Sequence, residues 1–217
     1  MNLLAIDTCT EVCSVSLLLD NKKIDRFVEG VEKSSSLILP LCDEVFDEAN
    51  ILPKNLDGVL YTRGPGSFTG VRMCTAVVQG ISFAHNIPTL GLSTLEVIGY
   101  GASKKYNKDK VAIALDARMG EVYWAYYINN KIHNESLKKP NEVDNLGAEY
   151  IGVGTGWGAY EELSFHSGVN DLVSECHPQA TNLIDLALEY IDSGVKMTLD
   201  IAMPVYLRNN VAHKSLK

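Results

Sequence analysis

Apolar residues enter this chain in short runs bounded by polar turns, and then change to helical spacing. Residues 3–6, 12–19 and 24–28 are strand-length runs, separated by polar turns at 7–11 and 20–23. That spacing predicts three antiparallel strands in a meander. Over residues 34–50 the apolar positions spread across about 200° of a helix circumference, twice the stripe of about 100° needed to rest on one sheet face. The excess predicts that this helix meets a second surface. Pro40 falls inside the run and fits best in a first turn, which would place the helix start later than Ser34. A further strand at 56–62 leads into a glycine-rich turn and a second helix, 69–86. Its polar residues occupy only about 80° of the circumference. Along it Ala76, Gly80 and Ala84 form a file of small residues that lets another helix come close.

The remaining pattern is a short strand at 88–92, then Ser93 with Glu96 three residues on, which reads as a capping box. The helix that follows is expected to end near Gly101. The polar stretch 103–110 is taken as a lobe boundary, giving an N-terminal lobe of residues 1–104 and a C-terminal lobe of 105–217. Beyond it the opening pattern returns. The run 111–115 ends in Asp116, as 3–6 ends in Asp7, and each is followed by a turn and another strand. Such a duplication predicts two related halves. Residues 131–145 read as polar loop, 150–153 and 172–173 as strands, 154–158 as a second glycine-rich turn, 179–193 as a helix stopped by Gly194, and 203–208 as an extended segment.

Composition narrows the classes. The chain has 217 residues, 46% hydrophobic and 21% charged, and 19 Lys and Arg stand against 27 Asp and Glu. A net charge of −8 argues against a free-standing nucleic-acid binder, which carries a basic face. No apolar run reaches the roughly 18 residues of a membrane span. No signal peptide is read at the N-terminus, and a cytoplasmic protein is expected. Five cysteines without a CxxC pair are expected to be buried, reduced thiols.

Three glycines and a proline within Gly64-Pro65-Gly66-Ser67-Phe68-Thr69-Gly70 allow a tight turn and a close backbone approach. Feeding a helix N-terminus, the turn could hold an anion. It equally reads as a turn with a Ser67 or Thr69 cap. It is not a P-loop, because no Gly-Lys-Ser/Thr follows. Asp7 and Asp116, with Thr8, Gly64 and Gly66, could face each other across a cleft and hold Mg²⁺ and a nucleotide's phosphates, or each Asp could cap its own turn. No histidine pair has metal-ligand spacing, and no nucleophile sits in a Gly-x-Ser-x-Gly elbow.

Gly64-Pro65-Gly66-Ser67-Phe68-Thr69-Gly70-Val71-Arg72 resembles the bacterial TsaB (YeaZ) family. So do Leu3-Leu4-Ala5-Ile6-Asp7-Thr8, Asp116-Ala117-Arg118-Met119-Gly120-Glu121-Val122-Tyr123 and Pro204-Val205-Tyr206-Leu207-Arg208. The resemblance implies an α/β, two-lobed actin-like/Hsp70-like/sugar-kinase fold, with mixed sheets flanked by helices. It implies a non-catalytic subunit that docks a TsaD-like transferase in making N6-threonylcarbamoyladenosine in tRNAs that read codons beginning with A. A TsaE-like ATPase would join, tRNA would be reached only through the complex, and the isolated chain would form a homodimer. TsaD-like chains carry an HxxxH pair on their first long helix, and residues 32–39 have no histidine. Two departures from the family are Ser34-Ser35 in place of a His-Ser pair and His213 where Trp is frequent. Partner contacts are expected from Leu37, Leu41, Val45, Arg72, Ala76, Gly80 and Phe83. No cofactor of its own is expected, with ATP and Mg²⁺ conceivable at a subunit interface. The competing expectation is an ATP-using ATPase or phosphotransferase of the same fold.

Overall fold

A computed structural model describes residues 1–30 and 34–208; the side chains of Ser34 and Ser35, like His213, lie outside the described residues. The N-terminal meander forms as the apolar runs and polar turns predict: β1 (Leu3–Asp7), β2 (Val12–Leu19) and β3 (Lys22–Glu29) pair antiparallel. After α1 (Ser34–Ala49), β4 (Gly58–Thr62) and β5 (Thr89–Leu92) join parallel to β1, with α2 (Phe68–His85) between them. The sheet order is β3-β2-β1-β4-β5. Then α3 (Thr94–Tyr106) leads to β6 (Lys110–Asp116), β7 (Val122–Ile128), β8 (Lys131–Lys138), β9 (Ile151–Val153) and β10 (Asp171–Val173). The second sheet runs β8-β7-β6-β9-β10, with two antiparallel and two parallel pairings. Strand for strand, it repeats the first. This is the two-lobed, actin-like architecture expected, and the duplicated strand-Asp-turn-strand unit is its centre in each half.

Five layers stack through the molecule. The outer face of the first sheet (Leu4, Ile6, Val15, Val59) packs under α1 and α2 in one core. The inner faces of both sheets share a second core with α3 and α6 (Ala180–Asp192). On the far side of the second sheet, Ala114, Trp124 and Trp157 form a third with α4 (Gly156–Ala159) and α5 (Glu162–Ser167). The middle helices are exchanged between halves. α3 lies on the second sheet, where a side chain on Gly99 would strike Tyr127. α6 lies on the first, with the Ala180 N–H donating to Ser14 Oγ at 2.9 Å and Lys23 paired with Asp185.

Several local expectations are corrected. α1 does start at Ser34, as the 34–50 span predicts; what is corrected is the later start that Pro40 suggested, since the proline lies inside the helix. α3 continues past Gly101 to Tyr106, because its polar last turn is its solvent face, with Lys104 and Lys105 exposed. A division at 104/105 therefore falls inside a helix. No capping box forms at its start. Ser93 bonds Glu135 instead, and buried Glu96 accepts from the Tyr190 hydroxyl at 2.6 Å, so tertiary partners outcompete the local ones. The polar stretch expected as loop over 131–145 contains β8, an edge strand that is wet on both faces and so shows no apolar alternation. Its signal was the turn. Asn129 and Asn130 both have positive φ, as do Asp20 and Asn21 at the equivalent hairpin.

Because α6 covers the inner face of the first sheet, trimming it should loosen both halves together. Leu183→Ala is expected to cost about 2–5 kcal/mol as a single cooperative transition. Denaturant melts followed by far-ultraviolet circular dichroism and tryptophan fluorescence check this, and the two probes should coincide.

Candidate functional site

The two Asp-ended strands bring their hairpin turns face to face across a cleft of about 1030 Å³ between the halves. Thr10, Glu11 and the start of α2 line one wall, and Asp116, Arg118 and Thr155 the other. Arg118 spans the gap, its Nη2 donating to Glu11 Oε1 at 3.0 Å while its Nη1 donates to Asp116 Oδ2 at 2.8 Å. Asp116 Oδ1 also accepts from the Arg118 N–H at 2.8 Å and the Tyr160 hydroxyl at 2.9 Å. Asp116 is thus at the cleft, but its oxygens are occupied.

Asp7 is not at the cleft. It is fully buried beneath the first turn, where Oδ1 accepts from the Thr62 hydroxyl and from the Cys9 N–H at 3.3 Å. Oδ2 has no hydrogen-bond partner among the described residues. Burial pushes its carboxyl up to about 7, against the opposing pull of the Thr62 and Cys9 hydrogen bonds. Asp7 and Asp116 therefore do not converge on one ligand position. Thr8 is equally buried and engaged, its hydroxyl donating to the Gly70 carbonyl at 2.8 Å.

The glycine-rich turn explains why Asp7 is sealed. The Ser67 N–H donates to the Cys9 carbonyl at 2.7 Å, and a Cβ on Gly66 would sit 2.1 Å from that same oxygen. On Gly70 it would sit 1.9 Å from the Thr8 carbonyl. The close approach that these glycines permit is to the chain's own first hairpin turn. Gly64, at φ +102°, packs likewise against the Val205 carbonyl.

Val205 belongs to an extended strap whose role the sequence did not disclose. Thr198 bridges to Thr89 on the edge of β5, Gln79 Nε2 donates to the Ala202 carbonyl at 2.6 Å, and the Val205 N–H donates to the Arg63 carbonyl at 2.7 Å. Arg208 ends it on the second hairpin turn, donating to the Ala117 carbonyl at 3.0 Å and to Glu121 Oε2 at 2.7 Å. The quoted Pro-Val-Tyr-Leu-Arg motif marked the place, though not the function.

The residues expected to meet a partner divide into two sets. Leu41 and Val45 are buried in the core beneath α1 and Leu37 packs against that core, which removes Leu41 and Val45 from any accessible face. Arg72, Ala76, Gly80 and Phe83 all lie exposed on α2, Phe83 at 94%. Space around Gly80 is open. The Arg72 guanidinium lies 3.2 Å above the Phe68 ring and 5.0 Å from that of Tyr206, bringing the strap alongside. Four cysteines are buried, and burial pushes the Cys13 and Cys42 thiols up to about 12, away from reactive thiolate. Among the described residues no metal-ligating cluster of three or more His, Cys, Asp or Glu is present, and no helix is long and apolar enough to cross a membrane.

Residues 29–216 match the family model described as TsaD: tRNA N6-adenosine threonylcarbamoyltransferase. The tRNA threonylcarbamoyladenosine biosynthesis protein TsaB of Escherichia coli is 37% identical over all of this chain and 98% of its own length. That of Haemophilus influenzae is 32% identical, covering 100% and 97%. The chain belongs to the TsaB (YeaZ) family. YeaZ from Pseudomonas aeruginosa superposes with a TM-score of 0.85 at 33% identity, over 94% of this chain and 100% of that one. A second Pseudomonas aeruginosa structure, described as similar to peptidase YeaZ, gives 0.86 at 34% identity over 95% and 99%. The TsaB likeness thus takes in both hairpin turns, the glycine-rich turn and the strap.

Two predictions follow from the sealed turn. Asp7 has its carboxyl raised above the ordinary value of 3.8, so the folded state holds a proton that the unfolded state has released. Stability should fall as pH rises from about 4 to about 7 and level off above that, and Asp7→Asn should remove this slope in chemical denaturation. Gly70→Ala should cost about 1–3 kcal/mol by forcing Cβ into the Thr8 carbonyl. Gly80→Ala on the same helix should instead gain up to about 1 kcal/mol, because its surroundings are open. Denaturation midpoints compare the two.

Proposed function

We propose that this chain is a non-catalytic subunit of the machinery that makes N6-threonylcarbamoyladenosine in tRNA, receiving a TsaD-like transferase on α2 and the adjoining surface of α1. Full-length identity with TsaB proteins supports a place in that pathway. The outer stripe of α2 carries the docking proposal. Thr69, Met73, Ala76, Gly80 and Phe83 lie on one side with Arg72 as the only charged residue among them, and Gly80 has open space for a close-packed helix. An exposed Phe beside a stacked Arg has the composition of an interface hot spot.

A scaffold role is favoured over an ATP-using enzyme of the same fold by the state of the two strand-end carboxylates. Asp7 is sealed under the glycine-rich turn, and Asp116 is paired with Arg118. Mg²⁺ with a nucleotide's phosphates needs such oxygens free. A TsaE-like ATPase would join the pair, tRNA would be reached through the assembly, and a second copy would occupy the α2 face when the transferase is absent.

Reconstitution tests the assignment. Modified tRNA should form when transferase, ATPase and this chain act together on tRNA supplied with ATP and a threonylcarbamoyl-adenylate donor, and product should be lost when this chain alone is omitted. Gly80→Arg should fold normally and weaken transferase binding at least about tenfold, measured by calorimetry. Unchanged affinity would mean that the docking face is elsewhere.

A further inference from the structure

The roof over Asp7 is tied to the acid that it covers. One peptide makes both ties: the Cys9 N–H donates to Asp7 Oδ1 at 3.3 Å, and the Cys9 carbonyl accepts from the Ser67 N–H at 2.7 Å. Thr62, at the end of β4, donates its hydroxyl to the same Oδ1. Oδ2 is left without a hydrogen bond in a residue that is fully buried. Nothing nearby balances a charge there. β2 contributes the Cys13 thiol, α2 the Cys74 thiol and the hairpin turn the Cys9 thiol, while the glycine-rich turn brings only backbone. Among the described residues neither a cation nor a second carboxylate faces Asp7. Cys9, Gly66, Ser67 and Gly70 line the cleft on their other side, so the roof is all that parts this acid from it.

We propose that this contact is a proton-operated latch: neutral Asp7 keeps the glycine-rich turn shut on the first hairpin turn, and ionised Asp7 opens it, admitting the cleft to the carboxylate and releasing the first turn of α2. A carboxylate sealed in this place has neither water nor a counter-charge. Water can reach it most readily where the enclosure is weakest. The floor and sides are β1, β2 and β4, held by continuous ladders. The roof hangs on the Ser67 N–H at the Cys9 carbonyl and the Thr8 hydroxyl at the Gly70 carbonyl. Because Cys9 holds the acid and the roof at once, a shift of its peptide toward solvent undoes both. Burial pushes the carboxyl up to about 7, so the two states exchange close to neutrality. The latch acts within this chain and does not depend on which partner α2 receives.

Amide hydrogen exchange of the full chain, followed by NMR, reads the latch through Ser67, whose N–H closes it. Its protection factor should fall roughly fiftyfold between about pH 5 and about pH 7 and level off above that, because the open form ionises at the ordinary value of 3.8. Low urea should leave this exchange almost unchanged, since a local opening exposes little surface. In Asp7→Asn the protection should be flat across the same pH range. A carbon-13 titration of the wild-type carboxyl should have its midpoint near 7. A Ser67 protection that ignores pH in the wild type, or falls equally in Asp7→Asn, would overturn the latch. Exchange that quickens with urea as steeply as global unfolding would also overturn it, because the roof would then open only with the whole molecule. Should Asp7→Asn not fold, the wild type decides alone: a carboxyl already ionised at about pH 5 beneath a protected Ser67 amide rules the latch out.

Discussion

The contact between the glycine-rich turn and the first hairpin turn governs the N-terminal half. Backbone meets backbone there, with the Cys9 carbonyl held by the Ser67 N–H and the Thr8 hydroxyl on the Gly70 carbonyl. No side chain can be interposed at residues 66 or 70 without moving one of the two turns. This closure fixes where α2 starts and therefore how its outer stripe is presented. It also roofs over Asp7, turning a strand-end acid that could have reached the cleft into an internal group of unusual basicity. One close approach thus gives the molecule its presented helix and takes away an exposed carboxylate.

The exchange of middle helices does for the whole chain what that closure does for one half. Each sheet needs cover on its inner face, and each receives it from the other end of the sequence or across the midpoint. The cleft above this shared layer is then bridged twice, by Arg118 reaching Glu11 and by the strap ending in Arg208 on the second turn. Arg118 is exposed, so its pairs add little stability. Arg208 is mostly buried and satisfies carbonyls as well as Glu121, which makes it the firmer tie.

What the sequence disclosed most clearly were the strands buried on both faces. The strands 3–6 and 12–19 could be read because their runs are mostly apolar, with only Ser14 and Ser16 as small polar breaks, and the duplicated Asp unit because each copy runs from an apolar strand into Asp and a short turn. Edge strand β8 was hidden because neither of its faces is dry. The end of α3 was hidden because a solvent-facing last turn looks like a loop. At the site the limit was different. An excess of apolar residues on the first helix does signal two contacts, but Leu41 and Val45 turn out to serve this chain's own core. Periodicity tells which positions avoid water without telling whose atoms replace it. The glycines posed the same problem: they announce that something comes close, and only three dimensions reveal that it is Thr8 and Cys9.

The exchanged helices also bear on how such a chain leaves the ribosome. The first sheet can cover its outer face early, since α1 and α2 follow within the same stretch. Its inner face, with Leu3, Ala5 and Leu60, waits for α6, which is synthesised after the whole second sheet. During that interval a large apolar surface is exposed on a half-made protein, open to chaperones or to aggregation. Neither half can complete its burial alone, so the folding unit is the entire two-sheet stack and not its first hundred residues.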